Sequence, residues 1–388
     1  MPKVPEEWGN NFYKSGWKPG VDINDHTGQG EITHVGTDPN YNNKFDEILR
    51  QWGYDPKLYE IEGTVRSSSW QVQLKGGRTE TFFAFKGLVK KKRPGHDKYF
   101  QALFKQAGRK PPLKLKTHGG DTAFLFFMAD WQLGKKDYGV ENTIKRYDIA
   151  LQDAVNRIKE LRKAGVMINE IYMIGLGDLT ENCYGFYDSQ PFNIELTMIE
   201  QYALARSMIM KTIETFLPHA DKLTLAGVPG NHGEASRSQK GQVVTNRLDN
   251  TDTMHLQICE EIMKANPDRY KKVSVEVPDG FHQVLDIKGI TCGFSHGHMS
   301  SGSGNPENKI ENWWKGQMYG FLPAGECKIL ITGHYHHFRA KQQGDRTWFQ
   351  SPSLDKSLDF TARSGMWSHP GVLTFTVNKK GWDNLKIL

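Results

Sequence analysis

Five short apolar runs within residues 122–336 each end, within a few positions, in aspartate, asparagine or histidine, and this series constrains the fold more than any other feature of the chain. "TAFLFFMA" (122–129) runs into Asp130 and Gln132, "EIYMIGLG" (170–177) into Asp178, and "KLTLAGV" (222–228) into Gly230, Asn231 and His232. "GITCGFS" (289–295) precedes His296, and "KILIT" (328–332) precedes His334 and His336. Continuous apolar runs of this length suit strands buried on both faces. Between the first three runs lie helical periodicities at 143–163, with Asn142 as the expected cap and Gly165 as the stop, and at 195–217. Strands alternating with long helices predict an α/β layered domain over residues 120–388. Ligands gather in the loops beyond the carboxyl ends of such strands, so five polar ends can share one site.

The residues at these ends are chemically coherent. Asp130, Gln132, Asp178, Asn231, His296, His334 and His336 offer carboxylate, amide and imidazole donors and no thiolate. That mix suits Mn²⁺, Mg²⁺, Fe or Zn²⁺ rather than a soft metal. Seven donors exceed what one tetrahedral ion accepts and match two divalent ions that share a bridging carboxylate. Taken singly, each residue reads as a loop cap or a satisfied polar group; five in an ordered series do not.

In order and approximate spacing, Asp130-x-Gln132, Gly177-Asp178, Gly230-Asn231-His232, His296-Gly297-His298 and Gly333-His334-x-His336 resemble the five blocks of the calcineurin-like metallophosphoesterases. Together with "GNHGE", "NWWKGQ" and "GWDNLKIL", they look like phage-encoded double-strand-break-repair-type nucleases of that superfamily. The resemblance covers roughly residues 120–380 and implies a four-layer α-β-β-α sandwich. It implies one ion on Asp130, Gln132, Asp178 and His336, and a second on Asp178, Asn231, His296 and His334, with Mn²⁺ favoured. His232 would be the catalytic histidine that is not a ligand, in a hydrolysis where a metal-bridging hydroxide attacks phosphorus in line. Gln132 stands where the family usually has histidine. Its harder oxygen donor is expected to tilt the site towards Mn²⁺ or Mg²⁺, or to leave the ion unligated at that position.

The remaining residues bear on substrate and partners. Lys86 to Lys116 holds eleven Lys or Arg and one Asp, a local charge of +10 in a chain of net +6. Such a run either tracks phosphates, releasing counterions, or is a solvated linker. Lys90, Lys91 and Lys92 in this run, with Arg237 and His298 near the expected centre, are candidate substrate contacts. Nucleic acid is therefore the expected partner, DNA more than RNA, and a DNA nuclease the leading function. A phosphatase or phosphodiesterase of a small molecule or phosphoprotein is the alternative, as is a nucleic-acid-binding accessory protein with a weak metal site.

Ahead of the α/β domain, residues 1–40 read as an extended or poorly ordered arm, 41–90 as a small α+β module with a hairpin turning at Gly76 and Gly77, and 91–119 as a basic connector. The four scattered cysteines show no zinc or disulfide spacing, and "MPKVPEEWGN" lacks the order of a signal peptide. No run is long enough to cross a bilayer, so a cytoplasmic protein is expected, in the host cytoplasm if phage-encoded, with no membrane partner.

Overall fold

The chain divides into two units, Met1–Gly95 and His96–Leu388. The structure, a computed structural model, describes residues 13–24, 29–40, 44–74, 76–91, 96–111, 113, 117–234, 249–300, 304–356, 358, 361, 362, 365 and 367–388, without the side chains of 96–101.

In the first unit, β1 (Gly20–Asn24), β2 (Gln29–Gly36), α1 (Phe45–Gln51), β3 (Tyr59–Gln73) and β4 (Thr79–Lys91) make a four-stranded antiparallel sheet, ordered β1-β2-β4-β3, with one helix. The expected hairpin is β3–β4. Residues 20–36, expected within a loose arm, instead form two strands. Ile23 and Ile32 are buried with Phe85, Val89 and the Ile48 and Leu49 face of α1, a core that polar neighbours hide from a periodicity reading.

In the second unit, α2 (His96–Arg109) is followed by β5 (Thr122–Met128), α3 (Val140–Lys163), β6 (Ile168–Gly175), α4 (Met198–Phe216), β7 (Lys222–Gly227), α5 (Thr251–Lys264), α6 (Pro267–Tyr270) and β8 (Val273–Glu276). Then come β9 (His282–Ile287), β10 (Ile290–Ser295), α7 (Pro306–Tyr319), β11 (Ile329–Thr332), β12 (Arg339–Gln343), β13 (Arg346–Gln350), β14 (Leu373–Asn378) and β15 (Gly381–Ile387). Two sheets result, β15-β14-β5-β6-β7-β8 and β12-β13-β11-β10-β9. In both, the strands that lead to the expected ligands are parallel.

The layers follow from which face each side chain enters. Leu125, Phe127, Ile174, Phe294, Ile331, Phe349 and Phe375 fill the space between the sheets. On the outer face of the larger sheet, Phe124 and Phe126 meet Tyr147 and Leu151 of α3, Ile213 and Phe216 of α4, and Ile262 of α5. Ile310 and Trp314 of α7 cover the smaller sheet against Leu330 and Trp348. The expected four-layer α-β-β-α sandwich is thus present. Each buried Phe or Ile contributes about 1.5–3 kcal/mol through removal from water.

Helix ends depart from expectation in detail. Gly139 precedes α3, and the Asn142 side chain donates to the Tyr138 carbonyl at 2.8 Å from within the first turn. Thr197 opens α4 with a capping box to Glu200. The basic connector is also corrected, because 96–109 is α2, with Leu103 and Ala107 packed into the helical core. Asn266 Nδ2 holds its end through the carbonyls of Ala107 (3.0 Å) and Lys110 (2.9 Å). No helix among the described residues is long and apolar enough to cross a membrane.

Candidate metal centre

Each expected ligand sits just past a strand of the sandwich, and the loops are laced together by main-chain bonds. Asp130 N–H donates to the Gly177 carbonyl (3.1 Å), Gln132 N–H to the Asp178 carbonyl (3.0 Å), and Gly333 N–H to the His296 carbonyl (3.1 Å). The backbone is forced into the left-handed region at Asp130 (φ 48°), Gln132 (φ 44°), Asp178 (φ 54°), His334 (φ 70°) and His336 (φ 59°). This region costs a non-glycine residue roughly 1–2 kcal/mol, and such strain persists where the surroundings over-determine it, as at functional sites. Close approach explains the neighbouring glycines. A Cβ on Gly230 would lie 2.2 Å from Asp178 Oδ1, and one on Gly177 would lie 2.6 Å from the Gly230 Cα.

The atoms converge on His296. Its Nδ1 donates to the Leu176 carbonyl at 2.7 Å, which turns Nε2 and its lone pair inward. Around Nε2 stand Asp178 Oδ2 (3.0 Å), Asn231 Oδ1 (3.0 Å) and His334 Nδ1 (3.2 Å). The ligand atoms of Asp178, His296 and His334 lie within 4.8 Å of one another. Four electron-pair donors facing one point repel unless a cation or proton lies between them. Burial works against charging His296, but the Asp178 carboxylate outweighs it and raises the imidazole to about 9. Burial opposes ionisation of Asp178 too, yet His296 and His232 hold it far below the usual carboxylate range. Burial lowers His334 to about 2, with His296 adding to the effect. This donor set fits a divalent ion, which would take the place of the proton on His296.

The set expected to hold the other ion is less coherent. Asp130 Oδ1 is buried without a hydrogen bond among the described residues and lies 3.4 Å from His336 Nε2. Asp130 Oδ2 accepts the His334 N–H at 3.1 Å. Gln132 Oε1, however, accepts the Lys135 ammonium at 3.1 Å. One of the two lone pairs of this oxygen is thus taken by the ammonium, whose charge opposes a divalent ion beside it.

His232 adjoins the centre. Its backbone N–H donates to Asp178 Oδ1 (2.7 Å), its Nδ1 donates to the Glu181 carbonyl (2.9 Å), and Phe186 stacks on the ring at 4.4 Å. The His298 ring lies 5.2 Å from that of His296 and 6.2 Å from that of His334, with Nε2 3.9 Å from Glu234 Oε1. It is therefore part of the cluster.

The basic candidates fare differently. Lys90, in the first unit, is paired with Glu62 (3.0 Å) and Glu60 (3.7 Å). Lys91 is exposed at the end of β4. Lys92 and Arg237 lie outside the described residues.

Several residues escaped sequence reading. Asp252 accepts the N–H groups of Asp178 (3.0 Å), Leu179 (3.1 Å) and Gly230 (2.9 Å) and so ties two ligand loops together. It comes from the first turn of α5 rather than a strand end, so the pattern used to find the others could not find it. Glu181 and Asp355 are also buried here and Lys135 half-buried, and Lys135 alone had a cue, lying three positions after Gln132.

No protein-family model and no curated protein matches the chain. Among solved structures, vacuolar protein sorting 29 from Cryptosporidium parvum is 12% identical over 69% of this chain and 97% of its own, with a TM-score of 0.31. A novel archaeal phosphodiesterase is 11% identical over 68% and 99%, with a TM-score of 0.29. An uncharacterized protein from Streptococcus pneumoniae TIGR4, described as a predicted phosphoesterase, is 10% identical over 67% and 86%, with a TM-score of 0.27. Likeness at this level carries no inference about activity.

Proposed function

We propose that the chain is a metal-dependent phosphoesterase that cleaves phosphodiesters of nucleic acid, DNA before RNA. One observation carries the hydrolytic reading: Asp178 Oδ2, Asn231 Oδ1 and His334 Nδ1 converge on His296 Nε2, with His232 anchored beside them. When bound there, a divalent ion supplies charge for a phosphoryl oxygen and lowers the pKa of a water. The remaining roles belong to the chain. Asp178 and Asn231 are held by the loops that Asp252 clamps, so the donors need little rearrangement. Water, giving up a proton to solvent, adds to phosphorus as the bond to the leaving oxygen breaks. His232 gives that oxygen its proton from Nε2, since Nδ1 is committed to the Glu181 carbonyl.

The nucleic acid part of the reading rests on the +10 run from Lys86 to Lys116. Lys86 pairs with Glu31 at 2.8 Å and Lys110 with Glu214 at 2.9 Å, and this neutralisation favours a small phosphate ester or phosphoprotein as the second reading. Labelled single- and double-stranded DNA and RNA, beside bis-p-nitrophenyl phosphate, all with Mn²⁺, separate the two. Cleavage of DNA by the wild type, and far slower cleavage by His232→Ala, is expected. Turnover of the small ester alone would reject the nuclease, and turnover of neither would reject the enzyme. Replacing Lys91 should flatten the salt dependence of DNA binding if it touches phosphate.

A further inference from the structure

Three residues after Gln132 the chain places a cation of its own among the donors expected for the first ion. Lys135 Nζ lies 3.1 Å from Gln132 Oε1 and 2.8 Å from Asp355 Oδ2. The pair is sheltered, the Lys135 and Asp355 side chains being 13% and 3% exposed. Both partners are fixed to the ligand loop. Lys135 N–H donates to the Gln132 carbonyl (3.1 Å), Asp355 N–H to the Asp130 carbonyl (3.4 Å), and the Ser353 hydroxyl to that same carbonyl (3.1 Å). The charge reaches across the site, since Lys135 acts electrostatically on His336 as well as on Glu181.

Two consequences follow from elementary electrostatics. The ammonium takes a lone pair of the oxygen that Gln132 would offer a metal, and, although Asp355 offsets part of its charge, it sets a positive group where a divalent ion would meet like-charge repulsion in a sheltered, weakly screened place. It also sets a positive charge beside the Asp130 loop, of the kind that attracts a phosphate.

Resting on the phosphoesterase reading, we propose that the Lys135 ammonium, held between Gln132 and Asp355, stands in place of one of the two ions. The centre then takes up a single divalent cation at Asp178, Asn231, His296 and His334, and meets a substrate phosphate with that ion and Lys135 together. Asp130 and His336, 3.4 Å apart, pair with each other instead of gripping a second metal.

Metal counting on the full chain tests this, by Mn²⁺ titration calorimetry and elemental analysis, with electron paramagnetic resonance to tell an isolated Mn²⁺ from a coupled pair. Wild type is expected to bind one equivalent with the signal of an isolated ion. Lys135→Arg, which keeps the charge, and His336→Ala are both expected to stay at one. Lys135→Met, which leaves Asp130, Gln132, Asp355 and His336 without the ammonium, is expected to bind two. A wild type with two equivalents, falling to one in His336→Ala, overturns the proposal and leaves the phosphoesterase reading standing. Folded Lys135→Met with one equivalent also overturns it. No metal uptake by wild type overturns both readings. Should Lys135→Met fail to fold, the wild-type and His336→Ala counts decide.

Discussion

Asp252 accepts the backbone N–H of Asp178 at 3.0 Å, so one buried carboxylate fixes the loop that carries another. Burial first, and the nearby Asp178 charge second, push Asp252 up to about 6. Three N–H groups end on this side chain, those of Asp178, Leu179 and Gly230. Asp252→Ala is expected to cost about 1–3 kcal/mol for each N–H left buried without an acceptor. Mn²⁺ affinity should fall with it, because the loops of Asp178 and Asn231 lose their common tie. Thermal unfolding and metal titration check both; a variant with wild-type melting and affinity would make the clamp incidental.

His232 is held by Glu181 and Phe186 but is absent from the donor cluster. His232→Ala should therefore lower hydrolysis by about 10²–10⁴-fold, the usual worth of a general acid, while Mn²⁺ stoichiometry stays unchanged. Loss of the metal in this variant would show that the ring supports the cluster rather than the proton transfer.

Metal uptake should depend on pH through His296. The imidazole is raised to about 9, so below that pH an incoming ion must displace a proton. Affinity is expected to rise with pH, by up to about tenfold per unit, and to level off above about 9. In the metal-free protein the sign is reversed: the charged imidazole contributes stability fully below about 6.5, and that contribution is lost as pH rises through about 9. Calorimetry in buffers of different ionisation enthalpy measures the released proton; a pH-independent affinity would contradict this account.

His255 offers a separate stability probe. Neither ring nitrogen has a hydrogen-bond partner among the described residues, and burial, aided by Arg206, lowers the group to about 3. Because the folded value lies below the unfolded one, the neutral ring's contribution is complete above about 6.5 and is lost as pH falls. At pH 5 this group alone should make the chain about 2 kcal/mol less stable than at pH 7. Urea unfolding of wild type and His255→Leu at both pH values tests it, the variant lacking that part of the difference.

Much of the sandwich could be read from "TAFLFFMA", "EIYMIGLG" and "KLTLAGV", because a strand covered on both faces leaves an unbroken apolar run. β1 and β2 were missed, and α2 read equally as an amphipathic helix or a stacking surface, for the converse reason. Their apolar residues are few and interspersed with Gly, Asp, Lys and Gln, and only contact with Phe85 or with α4 and α5 shows which side is inward.

By itself the sequence determined the type and order of the donors, since a side chain's chemistry and its place after a strand are local facts. The tertiary structure decided what surrounds them. It set left-handed backbone at Asp130, Gln132, Asp178, His334 and His336, brought Asp252 in from a helix, and turned His296 inward through the Leu176 carbonyl. It also laid Lys135 against Gln132 by way of Asp355, a partner 220 residues distant in the chain. Whether an amide oxygen faces a metal or an ammonium depends on contacts that close only when remote loops pack, and no spacing along the chain encodes them.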